Sequence, residues 1–375
     1  MCKDRNGNAA EFGWQFQVVS GIIAALNDIN NIKSINIEGP LQDVQLRLKN
    51  ENEILIQAKS YAGVPVEENT SINWGDKLTS AMVGLLEDYV HNKNNVLKYY
   101  FNFPFPLGKE KGGKRNFGLD KYGEVYGNEL TKNQKEIIKD KITSFVTKEV
   151  DKKGKESNRK KKQPKTTLTI KDITANVDDF IDKIAIRYCD FLNYKDDTRK
   201  YSNLEATIRA FLENNSMNVS ISRLRDYWIS KSFSNGSKKL CMNRDEFLFG
   251  IIIIKNSFHS EDLMGHKLNV NQINNLYDRF RSVMESTFAL EDFNRELLAD
   301  LFAFENINSL DEYQYFEDKA TKFINKVYAK YIKYFDLKNI TEKEKSELTK
   351  YALEHFLYEE DKINYILEGK LKNAN

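Results

Sequence analysis

Over the first hundred residues the apolar positions change their spacing several times, and each change predicts a new element. From Glu11 to Asn27 (EFGWQFQVVSGIIAALN), Phe12, Phe16, Val19, Ile22, Ile23 and Leu26 recur at helical spacing on one face. Ile32 to Ile37 (IKSINI) then alternates with period two and stops at Gly39-Pro40. A second strand is predicted over Asp43 to Leu48 (DVQLRL). Val44, Leu46 and Leu48 share one of its faces, and Asp43, Gln45 and Arg47 the other. Lys49 to Asn52 (KNEN) is turn chemistry, and Glu53 to Lys59 (EILIQAK) follows as a third strand that closes a hairpin. Beyond a loop holding Gly63 and Pro65, an amphipathic helix is expected from about Trp74 to His91. The strand Asn95 to Phe103 (NVLKYYFNF) then ends at Pro104 and Pro106, with its aromatics as core residues. The expected order is helix, strand, strand, strand, helix, strand.

The rest of the chain is less regular. Glu129 to Val150 predicts a helix, and Lys148 to Lys165 (KEVDKKGKESNRKKKQPK) a basic loop. Thr166 to Ile186 reads as strands around one helical turn, and Asn203 to Asn215 as a helix capped by asparagine. From about Met217 onward helical periodicity dominates, for instance at Asn271 to Phe288 and Glu312 to Phe335. An α/β front half joined to an all-helical module is therefore expected.

Composition narrows the classes. At 375 residues, two domains are the natural expectation, and a hydrophobic fraction of 41% with 12% aromatics argues against global disorder. The longest apolar run, Phe247 to Ile254 (FLFGIIII), is too short to span a bilayer and reads as a buried core element. The start of the chain lacks an apolar signal region, so a cytoplasmic protein with no membrane partner is expected. Cys2, Cys189 and Cys241 are scattered and form no zinc-type pair, and the four histidines show no metal-ligand spacing. A net charge of +2 by itself predicts no nucleic-acid partner, but the basic run, with Lys160, Lys161 and Lys162 at its centre, could feel a phosphate backbone.

The hairpin carries the candidate chemistry. On the third strand Leu55, Gln57 and Lys59 face one way, so Gln57 and Lys59 project together, and Asp43 opens the partner strand. One carboxylate, one amide oxygen and one ammonium can then converge at one end of a small sheet. Phosphodiester hydrolysis uses such a set. Asp43 can supply a hard oxygen ligand for Mg²⁺ or Mn²⁺, and the amide of Gln57 or an adjacent backbone carbonyl can complete the site. The metal polarises the phosphate and activates a water, and Lys59 orients that water or stabilises the developing charge. Glu38, closing the first strand, is a second metal-proximal acid.

The GWQFQ of Gly13 to Gln17, the EGPLQD of Glu38 to Asp43 and the IQAKS of Ile56 to Ser60 resemble the front end of the effector endonucleases of bacterial CBASS anti-phage systems. That family is a branch of the PD-(D/E)XK superfamily with Gln in its Q-x-K. The resemblance spans about residues 11–105. It implies an α+β chain whose restriction-endonuclease-like αβββαβ core lies in a nuclease domain over 1–215, followed by a helical assembly domain over 216–375. It further implies Mg²⁺-dependent cleavage of double-stranded DNA, with Asp43, Gln57 and Lys59 as catalytic or metal-site positions. Gln17 matches a first-helix position that is acidic in some relatives. The helical second half resembles the layout of the nuclease subunit of Lamassu-type defence systems. That layout implies a partner complex built on an SMC-like ATPase and a homo-oligomer as the cutting form.

Two function classes follow: a regulated endonuclease of bacterial antiviral defence, with a restriction-type nuclease as its nearest competitor, and a non-catalytic module binding DNA or protein through the same fold. Arg223 and Arg225 beside Tyr227 and Trp228 suit phosphate and stacking contacts, but buried aromatics with snorkelling arginines explain the same letters. Gly108 to Lys114 (GKEKGGK) is followed by Arg115 where a P-loop needs Ser or Thr, so ATP hydrolysis is not expected.

Overall fold

A computed structural model describes residues 5–62, 74–103, 124–155, 167–191, 200–215, 217, 219–237, 241–254, 267–286, 289–307 and 316–367. The chain divides into two compact units. The first comprises Met1–Phe211 with Arg225–Phe247, the second Leu212–Leu224 with Leu248–Asn375.

The first unit opens with the expected order: α1 (Arg5–Asn27), β1 (Ile32–Ile37), β2 (Val44–Leu48), β3 (Glu53–Lys59), α2 (Trp74–His91) and β4 (Val96–Phe101). It continues with β5 (Glu124–Tyr126), α3 (Lys132–Lys155), α4 (Ile170–Lys183), β6 (Ala185–Tyr188), α5 (Ser202–Asn214), α6 (Ile221–Ser237) and β7 (Met242–Asn243). The strands form one mixed seven-stranded sheet in the order β5-β6-β4-β3-β2-β1-β7. β1, β2 and β3 make an antiparallel meander. β4 runs parallel to β3, and α2 supplies the crossover that a parallel pair requires.

Each face of the sheet has its own cover. Leu55, Leu97, Tyr99, Phe101 and Ile186 are buried with Leu78, Leu85 and Leu86 of α2, Ile138 and Ile142 of α3, and Ile173, Val177 and Phe180 of α4. On the other face α1 packs against β1, β2 and β3. Gly21 is the point of closest approach. A Cβ there would stand 2.4 Å from Ile37 Cδ1 and 3.3 Å from Val44 Cγ1. The six apolar residues predicted to share one face of α1 are all buried. So is every residue from Val18 to Leu26, which makes α1 an interior helix and not a half-exposed one.

Three local expectations are corrected. Thr166 to Ile186 is not strand around one turn, because α4 occupies Ile170–Lys183 and strand begins only at Ala185. The β-branched TTLT run looked like a strand, but Thr169 and Asp172 form a reciprocal capping box that starts a helix, with Ile173, Val177, Phe180 and Ile181 along its buried face. The first part of the basic run is helix, since α3 reaches Lys155. Lys160, Lys161 and Lys162 lie outside the described residues, as do Phe105 and the 108–115 segment. Finally, β7 pairs Met242 with Ile35 and Asn243 with Ser34, a strand too short to show alternation.

α7 (Arg244–Ile254) turns the FLFGIIII run into helix. In the second unit α8 (Val270–Ser286), α9 (Ala289–Ile307), α10 (Phe316–Tyr331) and α11 (Glu342–Leu367) form a helical assembly. Its core is aromatic: the rings of Phe280 and Phe335 lie 4.3 Å apart, and Phe293 meets Tyr331 edge-on. The Tyr331 hydroxyl donates to Asp300 at 2.7 Å. Among the described residues no helix is long and apolar enough to cross a membrane.

Candidate functional site

The site forms where the β2–β3 pairing runs out. The last rung joins Val44 to Ile56, so the N–H of Ala58 finds no β2 backbone partner beyond it. The Asp43 carboxylate takes that role: Oδ2 accepts from Ala58 N at 2.9 Å and from Lys59 Nζ at 2.9 Å. Both side chains are largely shielded, Asp43 at 19% and Lys59 at 26% exposure. An ion pair with a backbone donor on the same oxygen is held in one geometry, and the second carboxylate oxygen stays available.

Gln57 lies on the same face of β3 and is held from the side. Its Nε2 donates to Gln42 Oε1, and Gln42 Nε2 in turn donates to Asp88 Oδ2 on α2. Gln42, only 6% exposed, thus links the β1–β2 turn, β3 and α2. Burial pushes the Asp88 carboxyl up to about 6, against the pull of its bond from Gln42.

A second lysine stands beside Lys59. Lys77, on the first turns of α2, donates to the carbonyl of Ser60, and burial together with the neighbouring Lys59 charge holds its ammonium below the usual range. The segment that follows Lys59 is pinned by Asn102, which is fully buried. Its Oδ1 accepts from Tyr61 N at 2.7 Å, and its Nδ2 donates to Tyr61 O at 3.0 Å and Phe191 O at 2.6 Å.

The structure therefore brings Asp43, Lys59 and Gln57 to one end of the sheet. Glu38 joins through its main chain, whose N–H donates to Asp43 O at 2.7 Å; its side chain is exposed on a turn with φ of 55°. Gln17 sits one turn from Gly13 and from Gly21 along α1, between the Gly13 approach to Ser60 and the Gly21 approach to Val44. Its Oε1 is buried and has no hydrogen-bond partner among the described residues.

Among the described residues no three His, Cys, Asp or Glu side chains gather as a metal-binding group. The donors present are oxygens of another mix: the second oxygen of Asp43 and the amide carbonyl of Gln57. A hard divalent cation accepts carboxylate and amide oxygens and keeps several waters, so this set fits one.

Gln42, Asp88 and Lys77 are the site residues that sequence reasoning missed. Lys77, Gly84 and Asp88 do recur at helical spacing along α2, but nothing in that spacing points to β3 or to Gln42. Other marked residues have structural roles. Trp228 is fully buried, stacks on Phe247 at 4.4 Å and donates to its carbonyl. Arg225 pairs with Glu205 and Asp226. On the opposite face of the sheet Lys98 donates to both oxygens of Glu124, which also accepts from Tyr100, fastening β5 to the sheet. Cys189 is buried and its thiol is pushed up to about 12 by that burial, so it is no nucleophile.

Set against models of known protein families, characterised proteins and solved structures, the chain matches none of them significantly.

Proposed function

We propose that the chain is a metal-dependent endonuclease of the PD-(D/E)XK type acting on double-stranded DNA. The observation that carries this reading is the convergence of Asp43 and Lys59 at 2.9 Å beside Gln57, on the end of a hairpin that follows α1 and precedes α2 and β4. Mg²⁺ or Mn²⁺, held by Asp43 and Gln57, would polarise the scissile phosphate and activate a water. The chain's own residues do the rest. Lys59, oriented by Asp43, meets charge developing on the phosphate, and Lys77 adds a second cation beside it. Asn102 and Ala58 keep the end of β3 in place.

Such a nuclease must be restrained in its own cell. The second unit, which holds none of these residues, serves in this reading as the assembly module. It binds an SMC-like ATPase or another subunit of a bacterial defence system and brings two copies together for cleavage.

Supercoiled plasmid incubated with purified protein tests the activity. Nicks and breaks are expected with Mg²⁺ or Mn²⁺ and none in excess chelator, and cutting that persists in chelator overturns the mechanism. One observation favours a second reading, a DNA-binding module without catalysis: among the described residues no three His, Cys, Asp or Glu side chains gather as a metal-binding group. That reading requires DNA retention with no cleavage under any divalent cation.

A further inference from the structure

Three polar side chains from three elements form a hydrogen-bond chain whose direction is fixed by chemistry. Asp88 at neutral pH is a carboxylate and can only accept. Gln42 must therefore turn its amide NH₂ toward Asp88, as observed, which leaves its carbonyl facing β3. Gln57 must answer that carbonyl with its own NH₂, and it does. The outcome is that the Gln57 carbonyl oxygen faces away from Gln42.

A glutamine on a strand can present either end of its amide, and only the carbonyl end ligates a cation. An aspartate or glutamate at that position has no such ambiguity, because its two oxygens are equivalent. A glutamine in the Q-x-K thus needs something to choose its orientation. Gln42 is 6% exposed, and Asp88 holds its amide from α2, the helix that packs on β3. Gly84, on the same face of α2, lies within contact range of both amides. A Cβ there would stand 3.5 Å from Gln42 Nε2 and 3.9 Å from Gln57 Nε2.

We propose that Asp88 and Gln42 are positioning residues that fix the amide polarity of Gln57 and so present its carbonyl oxygen as a divalent-cation ligand. The inference rests on the nuclease reading of the same site, and it identifies what makes a glutamine serviceable there.

The test is calorimetric titration of the full-length protein with Mn²⁺, with thermal melting of each variant as a check on folding. Partners that orient a metal ligand are typically worth about 10- to 100-fold in affinity. Gln42→Met, close in volume, is expected to weaken Mn²⁺ binding about 10-fold. The exchange variant Gln42→Glu/Asp88→Asn moves the acid one position along the chain while preserving an acceptor for Gln57, and should bind within about 3-fold of wild type. In a Gln57→Glu background, Gln42→Met should change affinity by less than about 3-fold, because a carboxylate needs no orienting. Wild-type affinity in Gln42→Met overturns the proposal, as does an equal loss in the Gln57→Glu background, or a folded exchange variant that no longer binds. If wild-type protein takes up no Mn²⁺, the nuclease reading falls and the positioning role with it. Retained Mn²⁺ binding by both wild type and Gln42→Met removes the positioning role alone.

Discussion

Asp43 Oδ2 receives two donors at once, Lys59 Nζ and the backbone N–H of Ala58, each at 2.9 Å. The two partners of this ion pair are therefore not equivalent. Lys59→Ala removes one donor from a carboxylate that keeps another, a loss of about 1 kcal/mol or less. Asp43→Ala strands the Ala58 N–H and leaves Lys59 without its counter-charge, costing about 1–3 kcal/mol. Cleavage should respond differently, with both variants losing a factor of about 10² to 10³ or more. Urea melts alongside plasmid cleavage check both halves. A folded Lys59→Ala protein that cuts at wild-type rate removes Lys59 from the chemistry.

Asn102 offers a second contrast, since it acts on the site without touching it. Asn102→Ala removes the three hydrogen bonds that its amide makes to Tyr61 N–H, Tyr61 C=O and Phe191 C=O. At roughly 1 kcal/mol for each lost bond, a destabilisation of about 3 kcal/mol is expected. Cleavage should fall as well at temperatures where the variant remains folded, because Lys59 lies two residues before the released anchor. Unchanged stability in denaturant melts would show that these groups find other partners.

The sequence made the core of the sheet legible because period-two alternation and Gly39-Pro40 mark β1, β2 and β3 without tertiary help. Asp43, Gln57 and Lys59 could be placed at one end from the pleat alone. Gln42 and Asp88 could not, for their link depends on how α2 lies on the sheet, and a strand pattern carries no information about a crossover helix's rotation. β7 was hidden for a similar reason: its two residues pair with Ile35 and Ser34 from more than two hundred positions away. At Thr169 a local rule lost to a stronger local rule, with capping geometry overriding β-branched propensity.

Asp88 should leave its mark on the pH dependence of stability. Its carboxyl is raised by burial from 3.8 to about 6, opposed by Gln42 and flanked by Glu87, Glu53 and His91. A folded state that binds the proton more tightly than the unfolded chain loses stability as pH rises through the interval between the two values. The Asp88 contribution is thus a penalty that grows from about pH 4 and is complete somewhat above pH 6. Asp88→Asn removes it. The difference in urea midpoint between variant and wild type should widen in favour of the variant across that window, and a constant difference would contradict it.

The basic run supports a prediction about affinity alone. Each phosphate contact contributes about 0.9 to the slope of log affinity against log salt. Neutralising Lys160, Lys161 and Lys162 should therefore flatten that slope by roughly two to three units. Cleavage of DNA already bound should keep its rate. Filter binding over a range of NaCl concentrations measures the slope, and an unchanged value returns the run to an inert surface.

The final prediction concerns how two strands are cut. In the proposed nuclease one Asp43–Lys59 centre per chain would hydrolyse one phosphodiester at a time, and opposite strands of a duplex present that bond in opposite orientations. Two copies of the chain are then needed for a double-strand break, and the second unit, helical from α8 to α11, is the part available to pair them or to hold them apart. Subunit mixing separates this from sequential cutting by one copy. Wild-type protein is combined with a tenfold excess of Lys59→Ala protein, so that nearly every active chain sits beside an inactive one. Paired action predicts that double-strand breaks fall to about a tenth while nicks persist, and that the ratio of breaks to nicks in wild type alone rises with protein concentration. Sedimentation under the same conditions should show the larger species where breaks dominate. If breaks form at the same rate in the mixture, and from protein that sediments as a single chain, one copy cuts both strands and the second unit has another purpose.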